Sequence, residues 1–135
     1  MTMKELSQLY WLEREIRAEE KRLEELRRLA GVPSSPQLTG MPHGTPNSGS
    51  LVERMAAEIV DLQAIIAAKR IQCIHERNRL ERWINDIPDS LTRQFFRCRF
   101  VMGMTWREVA DTVGENTSVE KVKKRCERYL EQVNL

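Results

Sequence analysis

The sequence predicts an all-α protein: a long coiled-coil helical hairpin followed by a trihelical helix-turn-helix domain. Three observations carry that expectation. Apolar residues recur every seven positions in two separate stretches, the period of helices that share a seam. Candidate helices open on Thr2, Ser50 and Thr105, each with a glutamate three residues on, the spacing that satisfies two orphan backbone donors reciprocally. Near the C-terminus a short amphipathic stretch, a glycine and a second amphipathic stretch follow one another at helix-turn-helix spacing.

The first element is a charged helix over Thr2–Leu29, in a segment running from 1 to 30. Leu9, Ile16, Leu23 and Ala30 hold one heptad position, Leu12 and Leu26 the position three further on, and Glu19 interrupts that second series. Gly31-Val32-Pro33 ends the helix, because proline bars helical dihedrals from the residue before it. Residues 31–50 hold four of the five prolines, four of the six glycines and no Lys, Arg, Asp or Glu. A stretch of that composition buries too little to offset its ordering entropy, so a flexible linker is predicted. His43 stands alone in it, with no second ligand at metal spacing.

From Ser50, paired with Glu53 in a capping box, a second helix runs through 51–87. Val52, Ile59, Ile66, Cys73, Leu80 and Ile87 recur every seven residues without a miss. Met55, Leu62 and Trp83 fill the companion position, which Lys69 and Glu76 interrupt. A repeat of 3.5 residues per turn held this long predicts a left-handed coiled coil. Val52, Ile59, Ile66, Cys73 and Leu80 are therefore the candidate oligomerisation residues. A second apolar flank at Ile65, Ile71 and Ile74 would stay exposed on so thin a hairpin, which adds to the expectation of a homo-oligomer, a dimer.

Ile87-Pro88-Asp89-Ser90 breaks the long helix and opens the last segment, 88–135. Asp89 or Ser90 caps a helix over Leu91–Val101, with Leu91, Phe95, Cys98 and Phe100 or Val101 turned inward. Met102-Gly103 turns the chain. Thr105 then caps a short helix with Trp106, Val109, Ala110 and Val113 on one face, and Gly114 is expected to leave it at positive φ. Thr117 with Glu120, or Ser118 alone, opens the last helix, Val119–Val133.

Charge separates this last segment from the rest. Residues 1–30 hold seven basic and seven acidic side chains, and 51–86 hold six of each, whereas 90–135 hold nine basic and six acidic. Lys121, Lys124, Arg125 and Arg128 fall on one face of the last helix at i, i+3, i+4 and i+7, opposite Val122, Cys126, Tyr129 and Val133. A positive stripe on a short helix after a turn fits double-stranded DNA as the partner. In that geometry Thr117 and Ser118 offer a helix N-terminus to a phosphate. Glu120, Lys121 and Lys124 reach base edges, Arg125 and Arg128 anchor the backbone, and Arg107 holds the strand on the other side.

Other function classes are disfavoured. No run of ~18 apolar residues could span a bilayer, and Met1-Thr-Met-Lys-Glu lacks the apolar core of a signal peptide, so a cytoplasmic protein is expected. Cys73, Cys98 and Cys126 all fall in apolar phase, as buried thiols in a reducing compartment do. Cys73 and His75 lie two apart, so they do not share a helix face, and no CxxC or HxxxH occurs; neither a metal nor any other cofactor is expected. With no glycine-rich phosphate loop and no nucleophile beside a base, no enzyme is read here.

The stretch Arg97-Cys-Arg-Phe-Val-Met-Gly-Met-Thr-Trp-Arg-Glu-Val-Ala-Asp-Thr-Val-Gly114 resembles region 4 of sigma-70-type transcription factors. Ser118-Val-Glu-Lys-Val-Lys-Lys-Arg-Cys-Glu-Arg-Tyr-Leu130 looks like the matching recognition helix, reached by a turn longer than usual by about two residues. With its coiled-coil front half, the whole chain is similar to small phage or prophage regulators of the late-gene activator type. The resemblance implies a transcriptional regulator acting on promoter DNA, with host RNA polymerase as a further partner. A small terminase subunit, a DNA-packaging protein that also joins a helix-turn-helix to coiled-coil helices, is the alternative. A structural coiled-coil adaptor is the third reading.

Overall fold

The computed structural model describes residues 1–31, 46–114 and 116–135, with the backbone alone for 46–50. Every described element is helical: α1 (Met3–Leu6), α2 (Gln8–Leu29), α3 (Pro46–Asn85), α4 (Ser90–Phe96) continued by a π-helical turn (Arg97–Val101), α5 (Trp106–Val113) and α6 (Val119–Val133). No strand occurs among the described residues, and no described helix is long and apolar enough to cross a membrane. Most of the expected linker, 32–45, lies outside the described residues. α3 begins at Pro46, so Ser50 sits inside the helix and is not its cap; proline suits a first helical position, where no N–H is needed.

The chain divides into two compact units, Arg14–Ile71 and Met1–Glu13 with Gln72–Leu135. These boundaries cut through the two long helices, not between segments at 30, 50 and 87. In the first unit, the helical pair, Ile16 of α2 and Ile59, Leu62 and Ile66 of α3 are buried. Lys69, late in the second segment, donates to Glu15 and Glu19, early in the first, at 3.1 and 2.6 Å, and Arg70 pairs with Glu20. The two segments therefore run antiparallel. The two polar intruders of the heptads, Glu19 and Lys69, are each other's partner. Paired polar groups in an apolar seam set register more than they add stability.

The second unit, the terminal unit, holds a core of Leu6, Leu9, Leu80, Ile84, Ile87, Phe95, Phe96, Cys98, Phe100, Val109, Ala110, Val122, Cys126 and Leu130. Thr2 caps α1 by accepting from the Glu5 N–H, and a break at Ser7, whose hydroxyl donates to the Met3 carbonyl, separates α1 from α2 where one helix was expected. Leu6 and Leu9 are thereby part of this core, not of a coiled-coil seam. Arg77 pairs with Glu13 at 3.2 Å, and Glu76, the other heptad interruption, pairs with Arg79 on its own helix at 2.6 Å.

Candidate nucleic-acid interface

Three helices set the interface, and each begins on a side-chain cap. Asp89 accepts from the Thr92 N–H (3.1 Å) at α4, Thr105 from Glu108 N–H (3.2 Å) at α5, and Ser118 from Lys121 N–H (3.3 Å) at α6. Between α4 and α5 the chain does not end as an α-helix. The Met102 N–H reaches back five residues to the Arg97 carbonyl at 3.0 Å, so Arg97–Val101 winds as a π turn. Phe96 and Phe100 are both buried, where the α-helical phase had selected Phe95, Cys98 and Phe100 or Val101 without Phe96. Gly103 then makes the turn at φ +72°, as expected of it.

An aromatic run fixes how α5 and α6 sit on this frame. Trp83 meets Phe96 edge to face at 5.3 Å and Tyr129 at 5.9 Å; Phe96 meets Phe100 at 5.7 Å, and Phe100 meets Trp106 at 6.1 Å. Trp106 is half-buried, with the Arg99 guanidinium 4.8 Å from its ring centre and donating to the Met104 carbonyl at 2.9 Å. The π turn is tied to α3 by Arg97, which donates to Asn85 Oδ1 at 2.8 Å and faces Glu81 at 3.6 Å.

The turn into α6 differs from expectation. Gly114 has φ −122° and is not the left-handed residue; Asn116 is, at φ +63°. Asparagine tolerates that region because its short amide can bond locally. Glycine is required at 114 for space: a Cβ there would lie 1.9 Å from Thr117 Oγ1 and 2.4 Å from Thr117 Cβ. Thr117 is half-buried against this turn, and Ser118 spends its hydroxyl on the cap.

α6 spans Val119–Val133 as the sequence predicts. Its inner face is Val122, Cys126 and Leu130, with Tyr129 half-buried; Val133 is exposed, and Leu130 takes the inner place assigned to it. Burial pushes the Cys126 thiol up to about 12 and raises the Tyr129 phenol above its usual range. On the outer side Glu120, Lys121, Lys124, Arg125 and Arg128 are all exposed, as is Arg107 on α5. Lys121, Lys124, Arg125 and Arg128, with Gln132 and Tyr129, form one wall of an open cleft of about 670 Å³ whose other wall is Pro88, Asp89 and Thr92.

Arg125 is set apart within that row: its Nη2 donates to Asp89 Oδ2 at 2.9 Å and its Nε to Thr92 Oγ1 at 3.2 Å. Asp89 also accepts from the Thr92 hydroxyl at 2.6 Å. The Thr92 hydroxyl, the Thr92 N–H and then the Arg125 guanidinium hold the Asp89 carboxyl below the ordinary carboxylate range. Nothing in the sequence marked that pair, whose members lie 36 residues apart.

The candidate oligomerisation residues do not come together. Ile59 and Ile66 are buried within the helical pair and Leu80 in the terminal core, Cys73 is half-buried and Val52 is exposed. The flank at Ile65, Ile71 and Ile74 is exposed, as are Val60 and Leu51. No group of three or more His, Cys, Asp or Glu stands close enough to hold a metal among the described residues. No family model, curated protein or solved structure matches the chain.

Proposed function

We propose that this chain binds double-stranded DNA through α6 and acts as a transcriptional regulator of the phage or prophage type. The observation that carries the reading is the outer row Lys121, Lys124 and Arg128, exposed on a helix whose inner face is locked into a core by Val122, Cys126 and Leu130. A rigid helix with cations along one side suits the major groove, where lysine and arginine meet both base edges and flanking phosphates. The regulatory role, host RNA polymerase as a partner and a cytoplasmic setting rest on the resemblance to sigma region 4 and on the three free thiols. The exposed apolar side chains of α3, Val60, Ile65 and Ile71, favour an assembly step in addition, by a dimer or, in the DNA-packaging reading, by a ring.

The test is fluorescence anisotropy on a labelled random-sequence duplex of roughly 20 base pairs, titrated with protein at low salt and then with salt. Binding at micromolar protein, with log affinity falling linearly in log salt, is expected. No anisotropy change at tens of micromolar protein would reject the reading. Light scattering on the same samples separates a dimer from a ring.

A further inference from the structure

The four cations of the α6 row are not equivalent. Lys121, Lys124 and Arg128 make no ion pair among the described residues, whereas Arg125 is held by two groups at the start of α4. Accepting the DNA-binding reading above, we propose that Arg125 is a positioning residue: it pins α6 against the α4 cap and leaves phosphate contact to Lys121, Lys124 and Arg128.

The bond directions are determined. A guanidinium has no acceptor and a carboxylate no donor, so the Thr92 hydroxyl must give its hydrogen to Asp89 and receive one from Arg125. Thr92 is 4% exposed and sits one turn before Phe95 and Phe96, both in the core, so this end of the pin is anchored in packed structure. Arg125 precedes the buried Cys126 and follows the buried Val122 by three positions, so holding its guanidinium adds a point of attachment at the outer edge of a helix whose inner face the core holds, and trims the remaining play in its rotation. Lys121 and Lys124, one turn and one residue earlier, point where that rotation sends them. A phosphate offered to Arg125 would find only the donors that Asp89 and Thr92 leave free, and would sit near the Asp89 negative charge.

The pair is also too exposed to serve chiefly as a stabiliser. The side chains keep 47% and 53% of their surface, and ion pairs of that exposure contribute little to folding. Loss of the pin therefore shows in how DNA is read more than in melting temperature.

The experiment compares Arg125→Ala, Asp89→Asn and Arg128→Ala with the unaltered chain, each checked for folding by circular dichroism. Two probes are used: a random duplex, and a duplex that the unaltered chain selects from a random pool. Arg128→Ala is expected to weaken both probes and to lower the salt slope by roughly one. Arg125→Ala is expected to keep the salt slope and lose at least about fivefold of the preference for the selected duplex, the worth of one misread base pair. Asp89→Asn keeps a good N-cap but releases the guanidinium, so the preference falls while the salt slope rises by up to about one. If Arg125→Ala lowers the slope as Arg128→Ala does, Arg125 is a phosphate anchor and the proposal fails while DNA binding stands. If Arg125→Ala changes neither slope nor preference, the pin is only structural and the proposal fails likewise. If the unaltered chain binds neither probe at low salt, the DNA-binding reading itself fails, and this proposal with it.

Discussion

One seven-residue repeat on α3 serves two regions of the molecule in different ways. In the helical pair, Ile59 and Ile66 are covered by a single helix and keep 8% and 4% of their surface. In the terminal unit, Leu80 of the repeat and Ile84, one turn further on, are closed over completely, because α1, the start of α2 and three short helices converge there. The polar interruptions diverge in the same way. Lys69 finds Glu19 across the helical pair, whereas Glu76 turns to Arg79 on its own helix. A heptad therefore tells which face of a helix is apolar; what covers that face is decided by the rest of the chain. Here much of the cover comes from within one chain, and a dimer would have to use the flank at Val60, Ile65 and Ile71 instead.

The sharpest separation of the two regions is a pair of core truncations. Ile84→Ala should cost about 4 kcal/mol and Ile59→Ala about 2 kcal/mol, read from urea midpoints, since a closed core cannot relax as a two-helix seam can. Equal costs would mean that the helical pair is as tightly enclosed as the terminal core.

The glycines of the terminal unit come next. Gly114→Ala should destabilise by about 1–3 kcal/mol through overlap with Thr117, and adding Thr117→Gly should recover part of that loss. Gly103→Ala has open space around it and should cost only about 1 kcal/mol, for holding positive φ. If Thr117→Gly gave no recovery, the close approach would not be why glycine stands at 114.

The Glu19–Lys69 pair tests the helical pair alone. Lys69→Leu should lower stability by leaving Glu19 without its cation, while Glu19→Leu with Lys69→Leu should match or exceed the unaltered chain. The hydrogen bonds that Lys69 donates to Glu19 and Glu15 raise its pKa above the ordinary 10.5. The pair's contribution is thus complete below pH 10.5 and fades as pH rises through the raised value, an effect absent from Lys69→Leu. Thermal unfolding from pH 9 to 12 on both proteins checks it.

The smallest effect is on thiol chemistry. Cys126, pushed to about 12 by burial, should be the last to react with a thiol-disulfide reagent at neutral pH, and the half-buried Cys73 the first. Mass mapping of singly labelled protein that showed Cys126 labelled before Cys73 would mean that burial does not set the order.

The sequence made the caps at Thr2, Asp89, Thr105 and Ser118 legible, and with them the ends of α5 and α6, but not the start of α3, where Ser50 lies inside the helix. It also made the exposed cationic row of α6 legible. The π turn was not, since nothing in Arg97-Cys-Arg-Phe-Val distinguishes five residues wound wide from five wound normally, and Phe96 was missed with it. Gly114 was misread because glycine serves two needs, positive φ and close approach, and here the second applies. Leu9 looked like a seam residue because its cover lies on helices more than seventy residues away, and Leu6 went unread for the same reason. The Arg125–Asp89 pin was hidden for the same reason.

On the proposed reading α6, not positive charge in general, meets DNA. The direct measurement removes three cations from each region. The triple variant Lys121→Ala, Lys124→Ala, Arg128→Ala is compared with Lys21→Ala, Arg22→Ala, Arg27→Ala on exposed positions of α2, by salt titration on one labelled random duplex. The α6 variant is expected to lose about 2.7 units of log–log salt slope and most of its affinity, while the α2 variant binds as the unaltered chain does. Equal losses from both variants, or no loss from the α6 variant, would contradict it.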